Sequence, residues 1–262
     1  MERNIMKNHI IHHKPTILFL TLGVFFVVNA LIAEFIGVKI FALEPSLGLN
    51  TFRWKLFGIE GSLNFTVGVL LWPVVFIMTD IINEYFGMKG VRRLSYMAVI
   101  FILYAFAAVF IAIRLAPADF WPGSYVNQGV PDMQAAYAAI FGQGMWIIAG
   151  SVVAFLIGQL VDVFFFHRIK AITGEKRIWL RATGSTAISQ VFDSVVVLYI
   201  AFVLGPAHWS VSMWLAIALV NYCYKLLAAV VLTPLLYLVH HWIDNFLGAE
   251  LSQQLRREAM SE

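Results

Sequence analysis

Long runs of apolar residues, each interrupted at only a few polar positions, occupy most of the chain. Six of them lie near residues 16–43, 63–85, 94–116, 145–166, 182–204 and 211–239. A helix needs about 20 predominantly apolar residues to cross the hydrocarbon core of a bilayer, so each run predicts one transmembrane helix. The connections are mostly short, which predicts an all-α, polytopic six-helix bundle. Residues 1–262 form one transmembrane domain in this reading, with no soluble domain left over. The first run exceeds a secretory h-region and has no small-residue cleavage site after it, so it is expected to stay as helix one. Residues 132–141 in the longest connection have the modest amphipathicity of a short surface helix.

The polar interruptions are informative because lipid neither solvates nor pairs them. Asp80, Asn83 and Glu84 stand at helical spacings of three and four, so one face of the second helix carries two carboxyls and an amide. The fourth helix carries Gln159 and Asp162, and the fifth repeats the pattern with Gln190 and Asp193, flanked by Ser189 and Ser194. The sixth supplies Asn221 and Lys225 four residues apart. Ionisable groups inside spans point to a substrate, ion or proton path. Asp80, Glu84, Asp162 and Asp193 are four acids against Lys225, the one cation counted inside the spans. Burying a lone carboxylate costs several kcal/mol, so such a cluster selects for ligands rich in hydrogen-bond donors.

Other roles stay open for each group. Gln159 and Asp162 are within a turn of a helix end, where snorkelling or capping would also explain them. Gln190 and Asp193 could join helices by hydrogen bonds, and Lys225 could neutralise Asp193. Asp80, Asn83 and Glu84 could cap the end of the second helix, although acids at a helix C-terminus oppose the macrodipole. Asn29 and Glu34 are secondary candidates in helix one. Trp72, beside Pro73, is either a stacking wall or the neighbour of a kink.

Composition agrees with the pattern: 61% of residues are hydrophobic and 13% charged, with a mean hydropathy of +0.81. The formal charge of +3 is distributed unevenly. Arg3, Lys7 and Lys14 precede the first helix; Lys89, Arg92 and Arg93 join the second and third. Arg168, Lys170, Lys176, Arg177 and Arg181 join the fourth and fifth, and Arg256 and Arg257 lie in the tail. Basic residues mark cytoplasmic loops, so both termini are expected in the cytoplasm. With the basic residues accounted for this way, and no recognisable nucleic-acid module, no nucleic-acid partner is expected. The single cysteine, Cys223, excludes a disulfide framework and a cysteine-based metal site. Neither a metal nor a cofactor is expected. Gly142, Gly144, Gly150 and Gly158 permit close helix approach within one chain or in a homodimer.

An intramembrane enzyme using paired carboxyls is the competing class. The chain has no H-E-x-x-H, no G-x-S-x-G and no Cys-His constellation, so the expectation is that it is not an enzyme. There is also no G-x-x-x-x-G-K-[ST], so no ATPase is implied, and ATP coupling would need partner subunits.

The segment 79–87 (TDIINEYFG) followed by Arg92-Arg93 resembles the signature of the queuosine precursor transporter family, also called the VUT family. Residues 154–162 (AFLIGQLVD), 181–190 (RATGSTAISQ) through Asp193-Ser194, and Tyr224-Lys225 are further matches in the same order. The resemblance covers the second to the sixth helix. It implies uptake of 7-cyano-7-deazaguanine or 7-aminomethyl-7-deazaguanine across the inner membrane, to feed queuosine modification of tRNA. It also implies an architecture similar to the substrate-binding subunits of energy-coupling vitamin transporters. A deazaguanine offers a ring N–H and an amine on one edge, which a carboxylate can accept together. On this resemblance Asp193 or Glu84 reads that edge, Gln190 and Asn83 fix the ring, and Lys225 keeps a neighbouring carboxylate charged. A lone secondary carrier is expected, with another purine-like or vitamin-like solute as the alternative cargo.

Overall fold

The computed structural model describes residues 13–142, 145–173 and 178–260. Arg3, Lys7, Gly144, Lys176 and Arg177, which entered the charge and packing arguments, lie outside the described residues. The order of main elements is α1 (Lys14–Ile36), β1 (Ile40–Ala42), α2 (Leu43–Ser46), β2 (Trp54–Leu56), β3 (Ile59–Gly61) and β4 (Asn64–Thr66). Then come α3 (Trp72–Arg114), α4 (Met133–Phe141), α5 (Met145–Thr173), α6 (Ile178–Leu198), α7 (Val211–Leu247) and α8 (Ala249–Met260). The protein is therefore a helical, polytopic membrane protein. Among the described residues five helical stretches are long and apolar enough to cross a membrane, and one of them, Val67–Arg114, takes in two of the six predicted runs.

That long stretch is not straight. Gly87 has φ 66° and ψ −174°, a conformation no helix uses and one that glycine adopts without a Cβ clash. The two limbs of α3, 72–86 and 88–114, pack along α1 in opposite directions. Before the first limb, Gly68 sits so close to the far end of α1 that a Cβ there would lie 2.5 Å from the Ala33 carbonyl oxygen. At the other end of that limb, Phe86 meets Phe19 with ring centroids 5.0 Å apart. The second limb returns: Leu94 fills the space over Gly23, and Phe106 stacks on Phe35 at 5.4 Å.

Two boundaries correct the sequence reading. Helix one ends at Ile36 rather than near 43, because residues 40–42 form β1, which pairs antiparallel with β4 in the register Phe41 to Phe65. Ile40 and Phe41 suit a pleated strand as well as a helix, and hydropathy alone cannot separate the two. For the same reason the second run starts its α-helix only at Trp72. A second hairpin joins β2 and β3 through Phe57 and Gly58, both with positive φ, as a two-residue turn matched to strand twist requires. Glu44 ties this end together: its carboxylate accepts the backbone N–H groups of Phe52 and Leu63 at 3.1 and 3.2 Å.

The short helix expected in the long connection is present as α4, capped by Asp132, whose side chain accepts the N–H groups of Gln134 and Ala135. At the opposite end of the bundle lies an element the hydropathy pattern did not predict, the amphipathic α8. Gly248, at φ 89°, breaks the chain between α7 and α8, and Ser252 and Ala259 of α8 are buried. Lys14 at the start of α1 donates to the Phe246 carbonyl at 2.6 Å, placing that start beside the end of α7. The bundle thus has a hairpin end and an α8 end. Of the glycines expected to allow close approach, two meet other helices of the chain: a Cβ on Gly150 would lie 2.9 Å from the Val197 carbonyl oxygen, and Gly158 rests against Asp193 and Phe76.

Candidate functional site

The polar side chains of α3, α5, α6 and α7 converge on the bundle interior as a ladder of levels about one helical turn, or ~6 Å, apart. Asp80, Asn83, Glu84, Gln159, Asp162, Gln190, Asp193, Ser194 and Lys225 are all buried.

The level nearest the α8 end is built on Glu84, which has no exposed surface. Its Oε1 accepts from Arg181 Nη2 at 2.6 Å, and Lys170 Nζ lies 3.1 Å from Oε2. Arg256 of α8 approaches the same carboxylate at 3.9 Å. This corrects the sequence reading that Lys225 is the one cation inside the spans. Lys170 and Arg181 were assigned to a connecting loop, yet both are buried within helices, because α5 runs to Thr173 and α6 starts at Ile178. Beside them, Arg256 Nη2 donates to Asp244 at 2.7 Å and to the Tyr85 hydroxyl at 2.9 Å. Tyr85 donates to Asp244 at 2.8 Å, its oxygen lies 3.0 Å from His240 Nδ1, and Ser252 also donates to Asp244 at 2.5 Å. Asn83 Oδ1 is 2.8 Å from His167 Nε2, which donates to it.

One turn further in lie Asp80 and Asp162. Asp162 accepts from Ser189 at 3.1 Å, while the neighbouring Ser185 hydroxyl donates to the Ala182 carbonyl at 3.1 Å. Asp80 and Asp162 are close enough for their charges to interact. Asp80 Oδ1 and Asp162 Oδ2 have no hydrogen-bond partner among the described residues. At this depth Asp162 neither snorkels nor caps a helix end. Gln159 Oε1 accepts from Thr79 at 3.0 Å, whereas its Nε2 and both polar atoms of Gln190 are unpartnered among the described residues, as is the Ser194 hydroxyl.

The third level is the buried ion pair of Lys225 with Asp193. Lys225 does neutralise Asp193, as the sequence allowed. Glu34 of α1, hydrogen-bonded by Ser151, is close enough to Asp193 for the two charges to interact. Asn221 and Trp72 contribute less. The Asn221 amide donates to the Ile217 carbonyl of its own helix at 2.9 Å, and Trp72 packs against Phe155, centroids 5.5 Å apart.

A narrow cleft with room for about one water molecule reaches the middle level between the first limb of α3, α6 and α7. Phe76, Asp80, Ala182, Thr183, Thr186 and Thr233 are among its lining residues. Among the described residues no group of three or more His, Cys, Asp or Glu is placed to hold a metal ion.

The residues that sequence reasoning missed are Lys170, Arg181, His167, Tyr85, His240, Asp244, Thr186 and Arg256. Several had a signal: Arg181 opens the 181–190 motif and Tyr85 closes the 79–85 cluster. Charge at a hydropathy boundary nevertheless reads as loop, and nothing local announces that Glu84 awaits it.

Comparison with known proteins bears directly on this ladder. Residues 66–239 match the model of the family described as "Putative vitamin uptake transporter". The chain is 28% identical over 201 residues to the "Probable queuosine precursor transporter" of Bacillus subtilis, covering 73% of this chain and 76% of that protein. It is 30% identical over 166 residues to the "Queuosine precursor transporter" of Escherichia coli, covering 63% and 68%. No solved structure matches the chain. The matched span contains every level of the ladder from Asp80 to Lys225, and the chain belongs to this family of vitamin uptake transporters.

Proposed function

We propose that this protein takes up queuosine precursors, the 7-deazaguanine bases, as a secondary carrier in a cytoplasmic membrane, to supply tRNA modification. The observation that carries the reading is that the family match spans the ladder from Asp80 to Lys225, while both relatives bear the same cargo in their names. Six crossings with both termini in the cytoplasm accord with the reversal at Gly87 and with the basic residues Lys14, Lys89, Arg92, Arg93 and Arg168.

The chemistry suits the cargo. A deazaguanine needs acceptors for its ring N–H and amine and a donor for its carbonyl. The middle level supplies them: Asp80 and Asp162 have oxygens without partners, and Gln159 and Gln190 have amide groups to donate. Glu84 and Asp193, the acids the resemblance first put against the cargo, are already held by Arg181 with Lys170 and by Lys225. They serve better as fixed charges above and below the site. Phe76 gives the cleft an aromatic wall.

The test is expression in a strain that can neither make nor import the base. Supplied 7-cyano-7-deazaguanine should restore queuosine to tRNA, and labelled base should enter proteoliposomes chemically unchanged. Entry of other purines with exclusion of the labelled base would assign a different cargo.

A further inference from the structure

The two ends of the bundle are closed by different means. At the hairpin end Phe65 of β4 is buried and packs on Tyr224 of α7, ring centroids 4.6 Å apart. At the other end the 12-residue α8 packs on α3 and α7. Its apolar hold is small: Ala259 is buried, whereas Leu251 and Leu255 are only partly buried against the core. Arg256 fastens it. The guanidinium donates to both Asp244 oxygens at 2.7 Å and to the Tyr85 hydroxyl at 2.9 Å, and it lies 5.0 Å from the centre of the Tyr85 ring.

Arg256 can leave without stranding its partners. Glu84, 3.9 Å away, keeps Arg181 and Lys170. The Asp244 side chain is 38% exposed, so water takes over its charge. The Tyr85 hydroxyl keeps Asp244 as its acceptor and His240 beside its oxygen. Withdrawal of Arg181 or Lys170 would instead leave the buried Glu84 anion short of a cation. Trading protein hydrogen bonds for bonds to water at a partly exposed site costs little, and an element with few buried apolar contacts is among the first to open.

A hinge and a path complete the geometry. Gly248, at φ 89°, joins α7 to α8, and nothing crowds the place where its side chain would be. Thr233 and Leu236 of α7 line the Asp80 cleft. His240 and Asp244 follow Leu236 by four and eight residues, so one face of α7 runs from the cleft to the Arg256 contacts. We infer that α8 is a gate over this mouth of the cleft, held shut by Arg256 on Asp244 and Tyr85 and opened by rotation about Gly248. The gate is read from these contacts; that the 7-deazaguanine base passes it rests on the uptake reading above.

The experiment has two arms on the full chain, both carrying Cys223→Ser. In the first, Leu236→Cys places a reporter thiol between cleft and gate. A charged, membrane-impermeant methanethiosulfonate should label it slowly in inside-out vesicles, which present the α8 face in the reading above. Arg256→Gln should raise that rate about tenfold or more, as loss of a charged hydrogen bond implies. Arg256→Lys, which can meet Asp244 but not Tyr85 as well, should fall between. Arg257→Gln, whose native side chain donates to Gln253 on the exposed face, should label like the reporter alone, and right-side-out vesicles should show no rise. In the second arm, Ser252→Cys with Asp244→Cys, at positions whose native side chains are hydrogen-bonded, are joined by a short bis-methanethiosulfonate. Uptake of labelled 7-cyano-7-deazaguanine by proteoliposomes should stop on bridging and return on reduction, a reversal that a folding defect does not give.

Labelling of Arg256→Gln at the reporter's own rate, an equal rise from the opposite face, or undiminished uptake by the bridged carrier each overturns the gate and leaves the uptake reading intact. Failure of the wild type to take up the base overturns the uptake reading, and the labelling arm then decides the gate alone.

Discussion

Glu84→Gln tests the buried charge level most directly. The substitution keeps the shape of the side chain but removes the anion that Arg181 Nη2 meets at 2.6 Å and Lys170 Nζ at 3.1 Å. Glu84, Lys170 and Arg181 are each at most 1% exposed, so water cannot screen the cations left behind. Removing one partner of a buried pair costs about 3–5 kcal/mol. For a chain of this size about 1 kcal/mol moves a melting temperature by ~2–4 °C, so a fall on the order of 10 °C is expected. Lys170→Met should cost less, about 1.5–3 kcal/mol, because Arg181 stays on Glu84. Lys55→Gln is the control: the Lys55–Glu60 pair at 2.9 Å is 69% and 64% exposed, and its loss should fall within about 0.5 kcal/mol of zero. Thermal unfolding of the purified proteins in one detergent measures all three. A Glu84→Gln protein that melts with the wild type would refute the view that this level is a dry, tightly held ion cluster.

Lys225→Met should abolish transport and lower stability by about 3–5 kcal/mol by stranding Asp193, whereas Lys225→Met with Asp193→Leu should recover most of the stability; thermal melts and membrane yield separate the two. Gly87→Ala should destabilise by about 1–2 kcal/mol, because a Cβ is forced to φ 66°; an unchanged melt would show that the turn relaxes. At Glu44, burial pushes the carboxyl up, but its own backbone N–H and those of Leu63 and Phe52 outweigh it and hold the group below the usual carboxylate range. Its contribution is therefore complete above the ordinary carboxylate pKa and is lost as pH falls through the lowered one. Protection factors of amides in residues 43–66, exchange corrected for its intrinsic pH dependence, should fall on acidification in the wild type and be low at every pH in Glu44→Gln.

The helical class and most of the ladder were legible because both leave local marks. Runs of about 20 apolar residues announce spans, and Asp80, Asp162, Asp193 and Lys225 stand out against them. What stayed hidden depends on pairing at a distance. Lys170 and Arg181 read as loop because hydropathy averages over a window, and a buried charge at its edge looks the same as a solvated one. Only the contact with Glu84, 86 and 97 positions earlier in the chain, reveals their place. Helix one was drawn too long because Ile40 and Phe41 are as apolar in a strand as in a helix. The α8 helix is short and polar on one face, so a search for spans passes over it, although its Arg256 reaches the ladder.

The chain order of the Glu84 cluster bears on how the protein enters a membrane. Glu84 emerges from the ribosome before Lys170, Arg181 and Arg256 exist, so the limb 72–86 must partition into lipid with its two acids uncompensated. Each acid at the centre of a span opposes insertion by about 2.5–3.5 kcal/mol, and each Val, Ile or Phe favours it by only about 0.3–0.6. The density of Val74, Val75, Phe76, Ile77, Ile81 and Ile82 around Asp80 and Glu84 therefore offsets a cost whose Glu84 share exists only during synthesis. In the finished protein the cations have arrived, and those side chains are left simply as core.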